Sequence, residues 1–424
     1  MKTIVTLIGA GGLLAALAVA QTPRYTITDL GTLTGGTYSY AYGMNSAGQV
    51  AGGAATSTQT GGVSQTAFLW NGRHMIDLGT LPGGLNSEGA GVNASGEVAM
   101  LSETYRTDPN GEDFCEFGTH RQCLAAIWNN GRLTALPTLK GGSNTAAFDI
   151  NNRGQISGFA GNGIHDSTCL TGGTPFQVTR FQAVRWDADG EIQKLSPLKG
   201  DTVGFAFGMN DSGQVVGSSG LCSNTSIPPG PNGPHAVLWD NDGSPTDLGN
   251  LGGSFNVASA VNNRGQVVGG AQSAKDGTIH AFLWTRGKPM QDLGAFPGAF
   301  VTTAPCCKTI NDRGDVVGFA IDAMGMRALI WQNNRPVDLN TLIPAHSPWY
   351  LQATSAINNA GEITGWGLIN GEAHAFLLTP IHGGAGSDSI APASEGVTSP
   401  AVSPEDVRKA LQKGVPFGRP TGQR

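Results

Sequence analysis

The stretch AVNNRGQVVG, residues Ala260 to Gly269, is followed by HAFLW, residues His280 to Trp284, and then by QDLG, residues Gln291 to Gly294. Three signatures of this kind recur in the same order along most of the chain. The first is Asn-x-x-Gly-x-(Val/Ile)-x-Gly, and successive copies are separated by 48, 58, 59, 52, 49 and 47 residues. Its Asn occupies Asn45, Asn93, Asn151, Asn210, Asn262, Asn311 and Asn358. A period of about fifty residues indicates a repeat architecture.

The other two signatures recur with the same period as the first. The apolar signature ends at Trp70, Trp128, Trp186, Trp239, Trp284 and Trp331, and a seventh copy at Ala375 to Leu378 lacks the Trp. The Asp-Leu-Gly signature begins at Asp29, Asp77, Asp247, Asp292 and, loosely, Asp338, with degenerate versions at Ala135 and Lys194. Each signature therefore has seven copies.

Each copy predicts four short antiparallel strands. The Asn can bond the backbone two residues on, and the Gly at the fourth position tolerates the left-handed conformation that ends such a turn. Small and β-branched residues on both sides make this a hairpin. The continuous apolar run of HAFLW indicates a strand covered on both faces. A polar turn and a strand ending in Asp-Leu then complete the unit.

The chain ends are offset in a way that predicts closure. The first Asp-Leu strand, Arg24 to Leu30, has no apolar strand before it, and the last apolar strand, His374 to Leu378, has no Asp-Leu strand after it. If the two pair, no edge is left open. We therefore predict an all-β fold, a seven-bladed β-propeller closed by pairing of its N- and C-terminal strands.

The HAF triplets at His280 and His374, together with the Asn-x-x-Gly and Asp-Leu-Gly elements, resemble the HAF family of probable extracellular repeat proteins. The resemblance covers residues 24 to 380, although the His is absent near Thr66, Ala125 and Ala328. It implies repetition and export, and it implies no particular activity.

Four regions follow from this pattern. Residues 1–20 predict a secretory signal peptide, with Lys2 before an apolar stretch and small residues before Gln21. Residues 21–380 form the predicted propeller, 381–402 a Gly, Ser and Pro-rich linker, and 403–424 a tail with a short helix at Pro404 to Lys413. The expected location is extracellular, with the periplasm as the alternative.

Composition narrows the class of protein. The chain is 13% charged, carries 64 glycines and has a net charge of -6, so nucleic acid is not the expected partner. No run beyond the leader is long enough to span a membrane. We expect a monomer without a cofactor.

Six cysteines in an exported chain favour disulfides. Cys115 and Cys123 lie eight residues apart in one loop, and Cys169 and Cys222 occupy equivalent loops of neighbouring units, so we expect these two pairs. The adjacent Cys306 and Cys307 could form a vicinal disulfide or remain thiols.

Loop length distinguishes the two faces of the predicted ring. The links between second and third strands are long at Leu101 to Leu124, Phe159 to Gln182 and Ser218 to Pro234. Function concentrates on such loops. We therefore expect a non-catalytic binding or scaffold protein whose long-loop face contacts a glycan or a protein, with Tyr105, Tyr40, Trp366 and Trp349 as candidate binding aromatics.

The alternative is a glycan-active hydrolase or lyase using loop carboxylates such as Asp108, Glu112, Asp113 and Asp166. No catalytic motif supports it, so no catalytic residue is assigned. The Asp-Leu-Gly carboxylates are expected to accept bonds within their own turns. The calcium-like runs at Asp187 and Asp240 are expected to be hairpin turns because neither has a Glu at position twelve. The repeated His235, His280 and His374 indicate a packing or hydrogen-bonding position, and no metal site is predicted.

Overall fold

The computed structural model describes residues 24–56, 64–169, 178–225 and 234–381. The predicted signal peptide, the linker from residue 382 onward and the tail lie outside the described residues. Regular structure in the described part is almost entirely β-strand. The exceptions are 3-10 turns at Ser167–Cys169 and Leu339–Thr341 and one helical turn at Cys222–Thr225.

After β1 (Tyr25–Asp29), the first three groups of strands each contain four members. Unit 1 contains β2 (Ser39–Met44), β3 (Val50–Ala55), β4 (Gln65–Trp70) and β5 (Met75–Gly79). Unit 2 contains β6 (Ser87–Val92), β7 (Val98–Thr107), β8 (Arg121–Asn129) and β9 (Arg132–Ala135). Unit 3 contains β10 (Thr145–Ile150), β11 (Ile156–His165), β12 (Thr179–Trp186) and β13 (Ile192–Lys194).

The remaining groups follow the same plan. Unit 4 contains β14 (Val203–Met209), β15 (Val215–Gly220), β16 (His235–Trp239) and β17 (Pro245–Asp247). Unit 5 contains β18 (Gly252–Val261), β19 (Gln266–Ser273), β20 (Ile279–Thr285) and β21 (Gln291–Asp292). Unit 6 contains β22 (Val301–Thr303), β23 (Val317–Asp322), β24 (Gly325–Gln332) and β25 (Arg335–Asp338). Unit 7 contains β26 (Trp349–Ile357), β27 (Ile363–Ile369) and β28 (Glu372–Pro380), and β1 is its fourth strand.

Each unit is an antiparallel sheet in which consecutive strands are neighbours, as the repeated signatures predict. In unit 7, β1 pairs with β28, with Tyr25 opposite Pro380 and Asp29 opposite Phe376. The first and last strands of the described chain therefore belong to one sheet. Units 5 and 6 also touch through a single parallel contact between Ile279 and Val301.

Apolar side chains from neighbouring units pack together to form the core. In unit 5, Ala281 and Phe282 of the HAFLW strand are fully buried, as predicted for a strand covered on both faces. Unit 1 packs on unit 7 in the same way, because Phe68 lies in one cluster with Ala375 and Leu377. Burying a side chain as large as Phe contributes about 1.5–3 kcal/mol, so these interfaces are a major source of stability.

The seven Asn turns share one hydrogen-bonding scheme. In unit 5, the Asn262 Oδ1 accepts the backbone N–H groups of Arg264 and Gln266, and its Nδ2 donates to the Gln266 Oε1 at 2.8 Å. The fourth residue, Gly265, has φ +72°, the left-handed conformation that the turn requires. The turn that the sequence predicts is therefore confirmed.

The second Nδ2 hydrogen of each Asn joins one unit to the next. It donates to the backbone carbonyl of the following Asn at 2.9 to 3.4 Å, and Asn358 of unit 7 donates to the carbonyl of Asn45 in unit 1. The seven bonds form a closed cycle, which we call the Asn ring. All four hydrogen-bonding positions of each of these amides are thereby satisfied.

The Trp of the apolar signature also joins neighbouring units. The indole N–H of Trp186 donates to the Pro137 carbonyl at 2.9 Å, and that of Trp239 donates to the Ser196 carbonyl at 2.6 Å. Trp331 donates to Leu293 at 3.1 Å. Each acceptor lies in the Asp-Leu-Gly position of the preceding unit. The Trp of the apolar signature therefore hydrogen-bonds to the Asp-Leu-Gly signature of the neighbouring unit.

We expect Asn262→Ala to lower the free energy of unfolding by about 2–3 kcal/mol, because the buried carbonyl of Asn311 loses a donor and the turn loses its own bonds. The adjacent Asn263→Ala is the matched control, since the Asn263 side chain bonds to Asp211 and Asp312, both partly exposed, and it should cost less than about 1 kcal/mol. Chemical denaturation of both variants measures the difference. Equal losses would contradict a special role for the Asn ring.

Candidate functional site

The two ends of the strands present different surfaces. We call the end that carries the links between second and third strands, and between units, the long-loop face, and the other end the Asn-turn face. Among the described residues, six exposed large apolar side chains lie at the long-loop face, either in its links or at the strand ends beside them, and one, Ile381, lies at the other end. The six are Leu85, Tyr105, Ile164, Leu221, Met324 and Tyr350.

Disulfides hold the long links of units 2, 3 and 4. Cys115 pairs with Cys123 inside the link of unit 2, and Cys169 pairs with Cys222 between the links of units 3 and 4. Both expected pairs are confirmed in the structure. The adjacent Cys306 and Cys307 are also paired with each other.

A buried carboxylate connects the first two of these links. The Glu112 Oε1 accepts the backbone N–H groups of Val178 and Thr179 and the Thr179 hydroxyl, each at 2.8 Å. Its other oxygen accepts from the Asn144 amide at 3.2 Å. Because Glu112 joins units 2 and 3 and the cystine joins units 3 and 4, the three links form one connected platform.

Aromatic rings fill the space beneath this platform. Phe159 stacks on Phe114 at 4.7 Å between ring centroids and meets Phe205 at 4.6 Å in an edge-on arrangement. Phe181 lies 4.3 Å from Phe205. The same cluster contains the buried Cys123, Cys169 and Cys222. The repeat pattern does not predict this second core, although the concentration of Phe in units 2 to 4 is a visible signal of it.

The four predicted binding aromatics occupy different environments. Tyr40 and Trp366 are brought together at 5.3 Å, with their rings at 89°. Tyr105 is 65% exposed on the platform, and the Arg106 guanidinium lies 5.5 Å from its ring centroid. Trp349, in contrast, is only 8% exposed and packs against Phe376 in the core. Trp349 is therefore a core residue and not a binding aromatic, since a buried ring cannot stack on a ligand.

The loop carboxylates of the hydrolase alternative are engaged in local bonds. Asp108 is buried and accepts the N–H groups of Asn110 and Glu112, each at 2.8 Å. Asp113 accepts from the Gly118 N–H at 2.8 Å. Hydrogen bonds from Thr168 and Arg180 lower the pKa of Asp166, which keeps that carboxyl ionised and unsuited to donate a proton.

The Asp-Leu-Gly carboxylates have the local role expected of them. Asp29, Asp77 and Asp247 each accept the N–H of the Gly two residues on, at 2.8 to 2.9 Å. In unit 5, Asp292 makes the same bond and also contacts the Nδ1 of the buried His280 at 2.9 Å. The equivalent contact in unit 7 joins His374 Nδ1 to Asp29.

The predicted hairpin turns at Asp187 and Asp240 are confirmed, with Gly190 and Gly243 donating back to the two Asp carbonyls at 2.8 Å. Across the described ranges, no group of three or more His, Cys, Asp or Glu side chains is placed to hold a metal ion. In the same part of the chain, no helix is long and apolar enough to cross a membrane.

The Asn-turn face contains a small axial cavity of about 120 Å³. Its lining includes six of the seven residues of the Asn ring, all except Asn93, together with apolar residues such as Met209 and Ile310, and Lys308. The Lys308 amine bonds the Asp149 carboxylate at 3.0 Å and the Met209 carbonyl at 2.9 Å, so it ties unit 6 to units 3 and 4. Burial raises the pKa of Asp149, while the charge of Lys308 acts in the opposite direction.

No family model and no curated protein sequence matches the chain. Among solved structures, it is similar to the β-propeller domain of the Trilobed protease from Pyrococcus furiosus, with a TM-score of 0.46 and 10% identity over 81% of this chain and 97% of that one. A gluconolactonase from Xanthomonas campestris gives 0.38 and 10% identity over 85% and 95% of the two chains. A puromycin hydrolase gives 0.48 and 12% identity over 82% and 51%. Similarity at this level assigns no activity to the chain.

We expect Glu112→Ala to uncouple the links of units 2 and 3, because two buried N–H groups lose their acceptor. The amides of Val178 and Thr179 should exchange with solvent at least about tenfold faster, while amides of the Asn ring remain unchanged. Asp113→Ala, on the same loop, is the control. Hydrogen exchange read by mass spectrometry makes the measurement, and unchanged exchange at residues 178 and 179 would contradict the coupling.

Proposed function

We propose that the chain is an exported, monomeric binding protein of the HAF type. Its units form a closed ring of seven propeller blades, and its long-loop face contacts a glycan or a protein. The observation that carries the proposal is the unequal distribution of exposed apolar side chains, six of which lie on that face. Loops that carry exposed side chains on a rigid scaffold are a typical location for interaction sites.

Closure of the ring is supported by two independent contacts between the chain ends. β1 pairs with β28, and the Asn358 amide donates to the Asn45 carbonyl. Export is supported by the cystines that connect the long links, because structural disulfides are typical of oxidising compartments. A rigid platform suits binding, since little ordering entropy is lost when the ligand arrives.

Deleting residues 24–30 should remove β1 and expose the edge of β28. An unpaired apolar edge recruits other chains, so we expect aggregation in size-exclusion chromatography and a lower melting temperature. Deletion of residues 403–424 is the control and should change neither. A β1-deleted protein that remains monomeric with an unchanged melting temperature would refute closure by these strands.

For the binding face, we expect Tyr105→Ala to weaken ligand binding by at least about tenfold, because an exposed aromatic ring at the end of β7, next to the loop closed by the Cys115–Cys123 disulfide, is a typical anchor. Ile381→Ala, on the Asn-turn face, should leave affinity unchanged. Both variants are compared on a glycan array and on surface proteins of the producing cells, with a parallel hydrolysis screen. Release of a hydrolysis product would favour the hydrolase alternative. A loss of affinity in Ile381→Ala but not in Tyr105→Ala would place the binding site on the Asn-turn face.

A further inference from the structure

One position of the third strand carries a basic side chain in units 5, 6 and 7. The residue before the repeated Ala is His280 in unit 5, Arg327 in unit 6 and His374 in unit 7. In each unit it faces two carboxylates, one in or beside the link between the second and third strands and one on the fourth strand. We call each group of three side chains a clamp.

The clamp of unit 6 shows this arrangement with a permanent charge. The Arg327 guanidinium bonds Asp322, beside the link, at 2.7 Å and Asp338, on β25, at 3.1 Å. The Asp322 Oδ1 also accepts the Met324 N–H of the link at 2.8 Å. Because an arginine side chain stays charged at every pH at which proteins fold, this clamp keeps its bonds whatever the pH.

The clamp of unit 5 has the same arrangement around a histidine. The His280 Nδ1 lies 2.9 Å from the Asp292 Oδ1, and its Nε2 lies 3.0 Å from the Asp276 Oδ2. The Asp276 Oδ1 accepts the Thr278 N–H at 3.0 Å and the Thr278 hydroxyl at 2.9 Å. Asp276 therefore connects the imidazole to the backbone of the link, as Asp322 connects the guanidinium in unit 6.

Both contacts of the buried His280 imidazole need a proton on the ring nitrogen concerned. A neutral imidazole donates from one nitrogen and accepts at the other, whereas an ionised carboxylate can only accept. The Thr278 hydroxyl, 3.1 Å from the His280 Nε2, already donates to Asp276. A neutral His280 would therefore place a nitrogen lone pair against the Asp276 carboxylate, and such a buried acceptor without a donor costs free energy.

Charged groups reach His280 from two directions. Asp276 comes from the link and Asp292 from β21, while the neighbouring strands β19 and β22 present the apolar Ala271 and Val301. Burial acts to raise the pKa of Asp276, but hydrogen bonds from the link and the charge of His280 outweigh it and lower that pKa. Asp276 consequently stays ionised on the acidic side of neutrality, where an imidazole is protonated.

The clamp of unit 7 makes a weaker demand on its histidine. The His374 Nδ1 lies 2.9 Å from Asp29 on β1, but its Nε2 lies 3.8 Å from the Glu372 carboxylate. A neutral imidazole with its proton on Nδ1 satisfies the shorter contact. The unit that needs a charged histidine for both of its contacts is therefore unit 5.

We propose that the clamp of unit 5 is a pH-sensitive device, which holds the link of residues 274–278 while His280 is protonated and releases Asp276 when the imidazole loses its proton. The stabilising contribution of the charged imidazole is complete at acidic pH and is lost as the pH rises. The device adds regulation to the long-loop face, and it stands whether or not that face binds a ligand.

Amide hydrogen exchange of the full chain, corrected for the intrinsic effect of pH on exchange, tests the device at about pH 6 and about pH 8.5. The Thr278 N–H, whose acceptor is Asp276, should lose at least about fivefold in protection at the higher pH. The Met324 N–H, bonded in the same way to Asp322 beside the arginine, is the matched control and should keep its protection. His280→Arg should abolish the pH dependence at Thr278.

Nitrogen NMR of the chain labelled in histidine gives a second readout. Both ring nitrogens of His280 should carry a proton at about pH 6, and the signals that disappear in His280→Arg assign them. A bare ring nitrogen at that pH would overturn the inference, as would equal changes of protection at Thr278 and Met324 or a pH dependence that persists in His280→Arg. If that variant fails to fold, the uncharged His280→Gln should lower Thr278 protection at both pH values, and unchanged protection would refute the device.

Discussion

The structure depends on one hydrogen-bonding arrangement, in which a buried Asn side chain has all four of its bonding positions occupied. Two are used within its turn by backbone N–H groups, one by the side chain four residues on, and one by the carbonyl of the next Asn. A buried amide left partly unbonded would cost free energy. Each unit is therefore more stable when the next unit supplies the acceptor, and the last unit finds that acceptor in the first.

This arrangement explains why the two faces differ. Backbone N–H groups and side chains of neighbouring turns bond one another along much of the Asn-turn face, as at Asn152, Asp211, Asn263 and Asp312. A longer turn there would move the Asn out of register with both neighbours. The links of the long-loop face take no part in the ring, so they can grow without disturbing it. Long links and exposed apolar residues consequently accumulate at that end.

The sequence predicted the features that are local to a repeat. The Asn turn, the left-handed Gly and the Asp-Leu-Gly bonds all use groups within four residues of one another, so spacing alone reveals them. A Gln, Glu or Asp also stands four residues after each Asn in the sequence. Its role becomes clear only in the structure, where it orients the Asn amide that donates to the next unit. Glu112 could not be predicted, because its partners include backbone N–H groups 66 and 67 residues away and such donors leave no mark in the sequence. Trp349 was assigned to the surface because a single sequence does not separate an aromatic residue of the core from one at a binding site.

The same bonds bear on the choice between binding and hydrolysis. A catalytic carboxyl must exchange a proton with its substrate, so it needs both access and a hydrogen-bonding position that substrate can occupy. Glu112 uses its two oxygens for four bonds to protein groups and is 1% exposed, and Asp108 is 4% exposed with its oxygens bonded to loop amides. Drawing either residue into a reaction would break the contacts that keep the links of units 2 and 3 in place. The aromatic rings at Tyr40 and Trp366 are under no such restriction, because they contribute to packing with one part of the ring and present the rest to solvent. Carboxylates that hold the loops and aromatic rings that remain partly accessible together favour recognition over turnover on this face.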